Sequence, residues 1–350
     1  MNVLSLFDGC SGGQQALERA GIKVDNYFAS EIDKYAIQVT MANYPSTIQL
    51  GSVVNVDGYS LPKIDLLIGG SPCQSFSFAG KRKGMSTKDE QEILTLEHYL
   101  QLKAEEFEFE GQSYLFWEYM RLLNEVKPKY FLLENVMMGE KWEKVLSKAI
   151  GVKPIMINSA LVSAQNRQRL YWTNIGLEPQ GLFGDLESII KQPKDKCILL
   201  KHILEENVPD KYFLSAKIIS GFEKHKERHL DKGTGFGFSP KNGEEKGNCL
   251  RVNAAICPTD NMIEILGGDF RYDEGYRWRE GGKSGTLCTN ADSFAKINSS
   301  IRRLTPVECE RLQTVKDGYT AHVSDSQRYK MLGNGWTVEV IKHIFSYIEL

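Results

Sequence analysis

Val3-Leu4-Ser5-Leu6-Phe7-Asp8-Gly9-Cys10-Ser11-Gly12-Gly13 opens the chain with a short apolar run that breaks into small residues. An amphipathic stretch from Gln14 to Ala20 follows. Apolar run, small-residue turn and helical spacing, in that order, predict a buried strand feeding a helix. The pattern then repeats. Asn26-Tyr27-Phe28-Ala29 precedes a helical stretch from Lys34 to Asn43, and Ile64-Asp65-Leu66-Leu67-Ile68 and Tyr130-Phe131-Leu132-Leu133 are further short strands closed by polar or Gly residues. This alternation predicts an α/β fold with a doubly wound, mostly parallel sheet. Ligands of such sheets sit at the carboxyl ends of the strands, so chemistry is expected there.

From about Leu177 to Ser300 the texture changes. Gly and aromatic residues cluster, as in Gly233-Thr234-Gly235-Phe236-Gly237-Phe238 and Gly267-Gly268-Asp269-Phe270-Arg271-Tyr272, and short β-like runs replace the helical period. The expected division is therefore residues 1–176 as the first domain, continued by 320–350, with 177–319 as a smaller, strand- and loop-rich domain. In the tail, Val338, Val340, Ile341, Ile344 and Phe345 form the apolar face of a helix expected to pack back on the first domain. The polar stretch from Ser86 to Gly111 reads as an insertion that packs locally, with Ile93, Leu94, Leu96, Tyr99, Leu100 and Leu102 on one helical face.

At 350 residues the chain has room for about two domains of roughly 150 residues each. With 41% apolar and 25% charged residues it is ordinary globular material, which excludes fibrous and disordered classes. No apolar run approaches the ~18 residues of a membrane span. The start Met1-Asn2-Val3-Leu4 has no basic leader, so the expected compartment is the cytoplasm, without membrane contact. Forty-three basic against 45 acidic residues leave a net charge of −2, so contact with nucleic acid would have to come from a local basic surface. The seven cysteines contain no Cys-x-x-Cys pair and the six histidines complete no zinc spacing, so no metal is expected.

The strand ends carry the candidate chemistry. Phe7, Asp8, Gly9, Cys10, Ser11 and Gly12 form a turn that lets backbone approach a ligand, and Glu31, with Ile32 beside it, ends the second strand where an acid can take ribose hydroxyls. NAD, a flavin or S-adenosylmethionine would fit, although the spacing is not the strict Gly-x-Gly-x-x-Gly of dinucleotide binding. Gly69-Gly70-Ser71-Pro72-Cys73-Gln74-Ser75-Phe76 sets a cysteine behind a rigid proline at the active edge. Cys73 is the candidate nucleophile, since thiolates attack well near neutral pH when donors lower their pKa. The other six cysteines are expected to be buried and structural. Glu134, ending the next strand, is a candidate acid. Arg167 and Arg169, two apart in an extended segment, would present guanidinium forks on one side.

In these segments the chain resembles the C5-cytosine-specific DNA methyltransferases. Pro72-Cys73-Gln74, Glu134-Asn135-Val136, Gln165-x-Arg167-x-Arg169, Arg303 to Gln313 and Leu332-Gly333-Asn334-Gly335-Trp336-Thr337-Val338 match the family's motifs in order. The opening turn and the Gly-x-Trp of the tail look like the animal de novo branch. The loop after Cys73 and the Gly-Phe-Gly-Phe run look like bacterial and phage enzymes. The resemblance implies a Rossmann-like class I methyltransferase fold with a target-recognition domain, acting on double-stranded DNA with S-adenosylmethionine as cofactor. It implies that Cys73 adds to C6 of a flipped-out cytosine, Glu134 holds N3 and the exocyclic amine, and Arg169, helped by Arg167, binds O2. The cofactor residues implied are Phe7, Asp8, Gly9, Cys10, Ser11, Gly12, Glu31, Ile32, Ser52, Val53, Asn334, Gly335 and Trp336. Lys81, Arg82 and Lys83 would supply a basic run toward phosphates.

Two positions depart from the family: Ser52 where an acid is usual, and Gly335 where Ser is usual in Gly-Asn-Ser. Both would weaken cofactor affinity. A partner endonuclease and a homodimer are compatible with the resemblance. The competing readings are an RNA cytosine methyltransferase, which lacks support because the Cys-Phe-Thr tripeptide of the transfer-RNA branch is absent, a non-catalytic DNA-binding relative, and a nicotinamide oxidoreductase.

Overall fold

The computed structural model describes residues 1–72, 92–109, 111–180, 185–233, 237–252, 257, 260–265, 268–271, 275–278 and 300–349. β1 (Asn2–Leu6), α1 (Gly12–Arg19), β2 (Asn26–Ser30), α2 (Lys34–Asn43), β3 (Ile48–Gln49) and β4 (Leu66–Gly70) come first. α3 (Leu96–Ala104), α4 (Leu115–Val126), β5 (Tyr130–Val136), α5 (Glu140–Ile150), β6 (Ile155–Asn158) and β7 (Gln168–Thr173) complete the first half. The seven strands form one sheet in the order β3-β2-β1-β4-β5-β7-β6. Neighbours from β3 to β5 pair in parallel, and β7 runs antiparallel to both β5 and β6. This is the expected doubly wound, mostly parallel sheet.

The strand period of two decides which residues feed which layer. Val3, Leu66, Ile68 and Leu132 face one layer with Ala16 and Leu17 of α1. Leu4, Leu6, Leu67 and Leu133 face the other with Phe116 and Trp117 of α4 and Trp142 and Leu146 of α5. A strand buried on both faces is apolar throughout, which is why these runs read so plainly in the sequence. The insertion joins the second layer through Ile93, Tyr99 and Leu102, whereas Leu94 and Leu100 are exposed. Its anchor is polar: fully buried Glu118 of α4 takes the Tyr99 hydroxyl, Lys103 Nζ and Arg121 Nε.

The later segments are β8 (Leu177–Gln180), β9 (Asp185–Ser188), α6 (Ala216–Asp231), β10 (Met262–Ile265), β11 (Gly268–Arg271), β12 (Gly275–Trp278) and β13 (Ser300–Arg303). Three two-stranded pairings, β8–β9, β10–β13 and β11–β12, agree with the short β-like runs. The sixteen-residue α6 was not expected. None of its residues is buried, and its apolar spacing is confined to Ile218, Ile219 and Phe222, which lean on the small cluster of Leu214, Phe238 and Met262.

α7 (Pro306–Leu312), α8 (Asp325–Asn334) and α9 (Val338–Phe345) close the chain. All five predicted apolar residues of the tail are buried, and α9 packs on α1. Leu304, Cys309, Leu312, Val315 and Tyr319, the last stretch assigned to the second domain from sequence, lie in the same core cluster as α1 and α9. α7 is fixed there by a capping box between Thr305 and Glu308, and Glu308 forms a fully buried ion pair of 2.6 Å with Arg302. Among the described residues no helix is long and apolar enough to cross a membrane.

Candidate active site

The first wall of the site is the turn after β1. Phe7, Gly9 and Ser11 all adopt left-handed backbone, with φ of 56°, 59° and 57°. For Phe7 and Ser11 that conformation is strained, and Asp8 between them supplies the restraint. Its buried carboxylate accepts from Ser5 Oγ at 2.6 Å, Tyr27 Oη at 2.7 Å and Ser11 Oγ. Burial pushes the Asp8 carboxyl up to about 6, against the opposing pull of those three hydroxyls and with some help from the charge of Glu31. A side chain at Gly13 would come within 2.4 Å of Ile68 Cδ1, so only glycine lets α1 start this close to β4.

Glu31 closes the turn from β2. Its Oε2 accepts from the Gly9 amide at 2.8 Å, and Oε1 accepts from the amides of Ile32 and Asp33 at 2.7 and 2.8 Å. Ile32 beside it is 71% exposed, a large apolar side chain left at the mouth of the site. Nothing lies within 4 Å of where a side chain on Gly9 would stand. An open turn, a fixed carboxylate and an exposed aliphatic side chain are a donor set that fits a nucleoside. Val53 is buried just past Ser52. Cys10 is buried too, with its thiol pushed up to about 12 by burial and by neighbouring Asp8; it is a packing residue whose carbonyl accepts from Tyr319 Oη at 2.8 Å.

The second wall starts at Glu134, near the end of β5 and only 9% exposed. Its register partner on β4 is Gly70, three residues before Cys73 in the chain. Cys73, Gln74 and the basic run Lys81, Arg82 and Lys83 lie outside the described residues. Arg169 Nε meets Glu134 Oε1 at 2.9 Å, and Trp336 Nε1 donates to Oε2 at 3.2 Å. A side chain on Gly70 would stand 2.9 Å from that indole nitrogen and 3.0 Å from Oε2, so the contact requires glycine.

Arg167, 3% exposed, is placed differently from Arg169. Its guanidinium donates to Gly335 O at 2.8 Å, Gly333 O at 3.3 Å and Cys249 Sγ at 3.1 Å. Arg169 Nη2 approaches the same sulfur at 3.7 Å. The contacts therefore close a ring from Trp336 through Glu134, Arg169, Cys249 and Arg167 to Gly335, the residue before Trp336. Burial raises the Cys249 thiol, but the two guanidiniums outweigh it and hold the thiol below its ordinary value.

Comparison with known proteins agrees with this architecture. The family model for C-5 cytosine-specific DNA methylase matches residues 1–349. The chain belongs to that family. It is 30% identical over 356 residues to the type II methyltransferase M.HpaII of Haemophilus parainfluenzae, covering 97% of this chain and 86% of that protein. It is 27% identical to the type II methyltransferase M1.ScrFI of Lactococcus lactis subsp. cremoris, over 98% and 76% of the two chains. The orphan methyltransferase M.SPRI of Bacillus phage SPR is also 27% identical, over 99% and 96%. In fold it is similar to the Entamoeba histolytica methyltransferase EhMeth (TM-score 0.65, 16% identity, 99% of this chain and 97% of that one) and to Dnmt2 of S. pombe (TM-score 0.64, 16% identity, the same coverage).

Within this DNA cytosine-5 methyltransferase the sequence reading singled out Glu31, Glu134, Arg167, Arg169 and Trp336 but not the braces behind them. Asn135 is buried and donates through Nδ2 to Ser71 Oγ at 3.0 Å, tying the end of β5 to the residues that lead into Cys73. Gln165 donates to Leu312 O at 2.7 Å and to Gln313 Oε1 at 2.9 Å, while its own oxygen accepts from the Leu250 amide. Gln313 in turn donates to Leu332 O at 2.6 Å and Gly335 O at 3.0 Å, and accepts from Thr337 Oγ1 at 2.9 Å. Each amide lies inside a quoted motif, but its immediate neighbours do not mark it as a buried brace. Asn334 ends α8 with its side chain exposed.

The cysteine expectation needs correction. Cys10 and Cys309 are buried, but Cys197 is exposed and Cys249 and Cys257 are half-buried. Cys197 sits in a loop with φ of 52°, and Cys249 lines the second wall instead of a core. Among the described residues no cluster of His, Cys, Asp and Glu suits a metal.

Proposed function

We propose that this enzyme transfers a methyl group from S-adenosylmethionine to C5 of a cytosine flipped out of double-stranded DNA, through a transient bond between Cys73 and C6. The observation that carries this reading is Glu134. It is a largely buried carboxylate with a donor on each oxygen, in register with β4, the strand that leads to Cys73 and that separates it from the strand of the glycine turn. S-adenosylmethionine supplies an electrophilic methyl group. Glu31 would hold its ribose hydroxyls, Ile32 and Val53 would offer apolar surface to the adenine with Ser52 at that edge, and Asn334, Gly335 and Trp336 would border its methionine end.

The cytosine C5 carbon is a weak nucleophile, and the residues of the second wall answer that problem. The Cys73 thiolate adds its electron pair to C6, and the ring's double-bond electrons move toward N3 and C5. Glu134 holds N3 and its incoming proton together with the exocyclic amine, and Arg169 binds O2. C5 then takes the methyl group as its bond to the donor sulfur breaks, a water molecule takes the C5 proton, N3 returns its proton to Glu134, and the C5–H electron pair expels the Cys73 thiolate. None of these atoms is reachable in a stacked duplex, so the base must leave it at a cost of roughly a few kcal/mol. Arg167 acts behind this surface, fixing the Gly333–Gly335 turn. The segment 177–319 would contribute target recognition up to about Arg303, with the rest returning to the catalytic core.

A duplex carrying 5-fluorocytosine tests the chemistry, because fluorine at C5 blocks proton loss and leaves the adduct trapped. The wild-type enzyme with S-adenosylmethionine should form a covalent complex that survives denaturation, and Cys73→Ser should not. Absence of the adduct, together with absence of methylcytosine in bisulfite-sequenced DNA from expressing cells, would overturn the proposal.

A further inference from the structure

The tail tryptophan touches both walls. Gly12 and Gly13, at the start of α1, would each place a side chain 3.7 Å from Trp336, at its Cβ and its ring. On the opposite side its indole N–H donates to Glu134 Oε2. Between them Gly70 leaves the contact clear by having no side chain. A half-buried hydrogen bond to a carboxylate is stronger than one between neutral groups and fixes the orientation of the acceptor. Each Glu134 oxygen still has a second lone pair for a base edge. With Arg169 Nε on the other oxygen, the plane of the carboxylate is set before any base arrives.

We propose that Trp336 is a positioning residue for Glu134, and that it links occupancy of the glycine turn to the grip on the target base. The inference rests on the methyltransferase reading and deepens it. A ligand in the turn presses on the indole, and the indole N–H passes that constraint to the carboxylate. Linkage then requires the reverse, that a gripped base tightens cofactor binding by the same factor.

The test uses the full chain and its Trp336→Phe variant, which keeps an aromatic ring and removes the donor. S-adenosylhomocysteine is the cofactor-site probe, and a cytosine-containing duplex is the substrate. Trp336→Phe should bind S-adenosylhomocysteine in the absence of DNA within about twofold of the wild type, while its single-turnover methyl transfer falls about tenfold, as expected for losing one hydrogen bond to a charged group. The tightening of duplex binding by S-adenosylhomocysteine seen in the wild type should disappear. In a Glu134→Ala background, Trp336→Phe should make no further difference to that tightening, because the two residues act as a pair. Gly70→Ala, which intrudes on the same contact from β4, should reproduce the Trp336→Phe behaviour and serves if the tryptophan variant does not fold.

A variant that raises cofactor KM while leaving the single-turnover rate unchanged would overturn the inference, because it would make Trp336 a packing residue of the cofactor wall alone. So would an equal effect of Trp336→Phe with and without Glu134. If the wild type itself neither methylates DNA nor traps 5-fluorocytosine, the methyltransferase reading is what fails. An active wild type with an unaffected Trp336→Phe variant sinks only the linkage.

Discussion

The two walls of the site are built on different principles. The first wall, proposed to hold the cofactor, is local: Asp8, Ser5, Ser11, Tyr27 and Glu31 span fewer than thirty residues and satisfy one another. The second wall, proposed to grip the base, draws Glu134, Arg167, Arg169, Cys249, Gly335 and Trp336 from four segments spread over two hundred residues. A local wall can form as soon as β1, α1 and β2 pack. A wall woven from distant segments exists only when the whole chain is folded, including part of the segment assigned to target recognition. Cys249 lies in the segment expected from sequence to recognise the target, so the second wall includes a residue of that segment.

The sharpest separation of the walls comes from Glu134→Gln. It removes the acid proposed to protonate N3 as electrons move onto the ring but leaves the first wall intact. Methyl transfer measured with a radiolabelled donor should fall by about 10²–10⁴-fold, the range for losing a general acid. Cofactor affinity measured by calorimetry should stay within a few fold. A collapse of cofactor affinity would mean that the walls are one unit and the comparison is false.

Arg167→Met tests how tightly the second wall is woven. The arginine is buried, and its loss takes a donor from Gly333 O, leaves Gly335 O to Gln313 alone and removes the neighbour of Cys249. Unfolding in urea should show a loss of about 2 kcal/mol, the scale of losing buried hydrogen bonds to a charged group. Thiol titration should show Cys249 moving upward, since Arg167 is the foremost of the charges that lower it. An unchanged urea midpoint would make Arg167 a mere bystander to the turn.

This contrast also explains what could be read in the sequence. β1, β2, β4 and β5 are buried on both faces, so their apolar runs stand out without any tertiary knowledge. The glycine turn and Glu31 are legible because their partners are neighbours in the chain. Cys249 was read as one more core thiol because its partners, Arg167 and Arg169, lie eighty residues away and nothing near it announces them. α6 was missed for a different reason: its apolar spacing is limited to Ile218, Ile219 and Phe222 in the first turns, and the charged stretch that follows reads as a solvated segment. The contact of Trp336 with Glu134 spans 202 residues and appears only in three dimensions. Gln165 and Gln313 were visible as motif members, yet their bracing role belongs to the packing of α7 against the segment before β7.

Asp8 offers the finest test, because it asks whether the local wall also carries its own pH dependence. Its carboxyl is pushed up to about 6 from the ordinary 3.8, with burial as the main cause. Between those values the folded chain holds a proton on Asp8 that the unfolded chain has released. Stability from this group is therefore complete below about pH 4, is lost as pH rises toward 6, and changes no further above it. Asp8→Asn cannot ionise and should lack that slope. Urea midpoints at pH 4, 5, 6 and 7 should show the wild type losing ground to the variant over the lower three points, by on the order of 3 kcal/mol at most, and holding steady from 6 to 7. If the two proteins keep a constant difference across the series, the three hydroxyl donors already offset burial in full. The turn would then be held by an ordinary ionised carboxylate, and its strain at Phe7 and Ser11 would be restrained by charge-assisted bonds at every pH in the range.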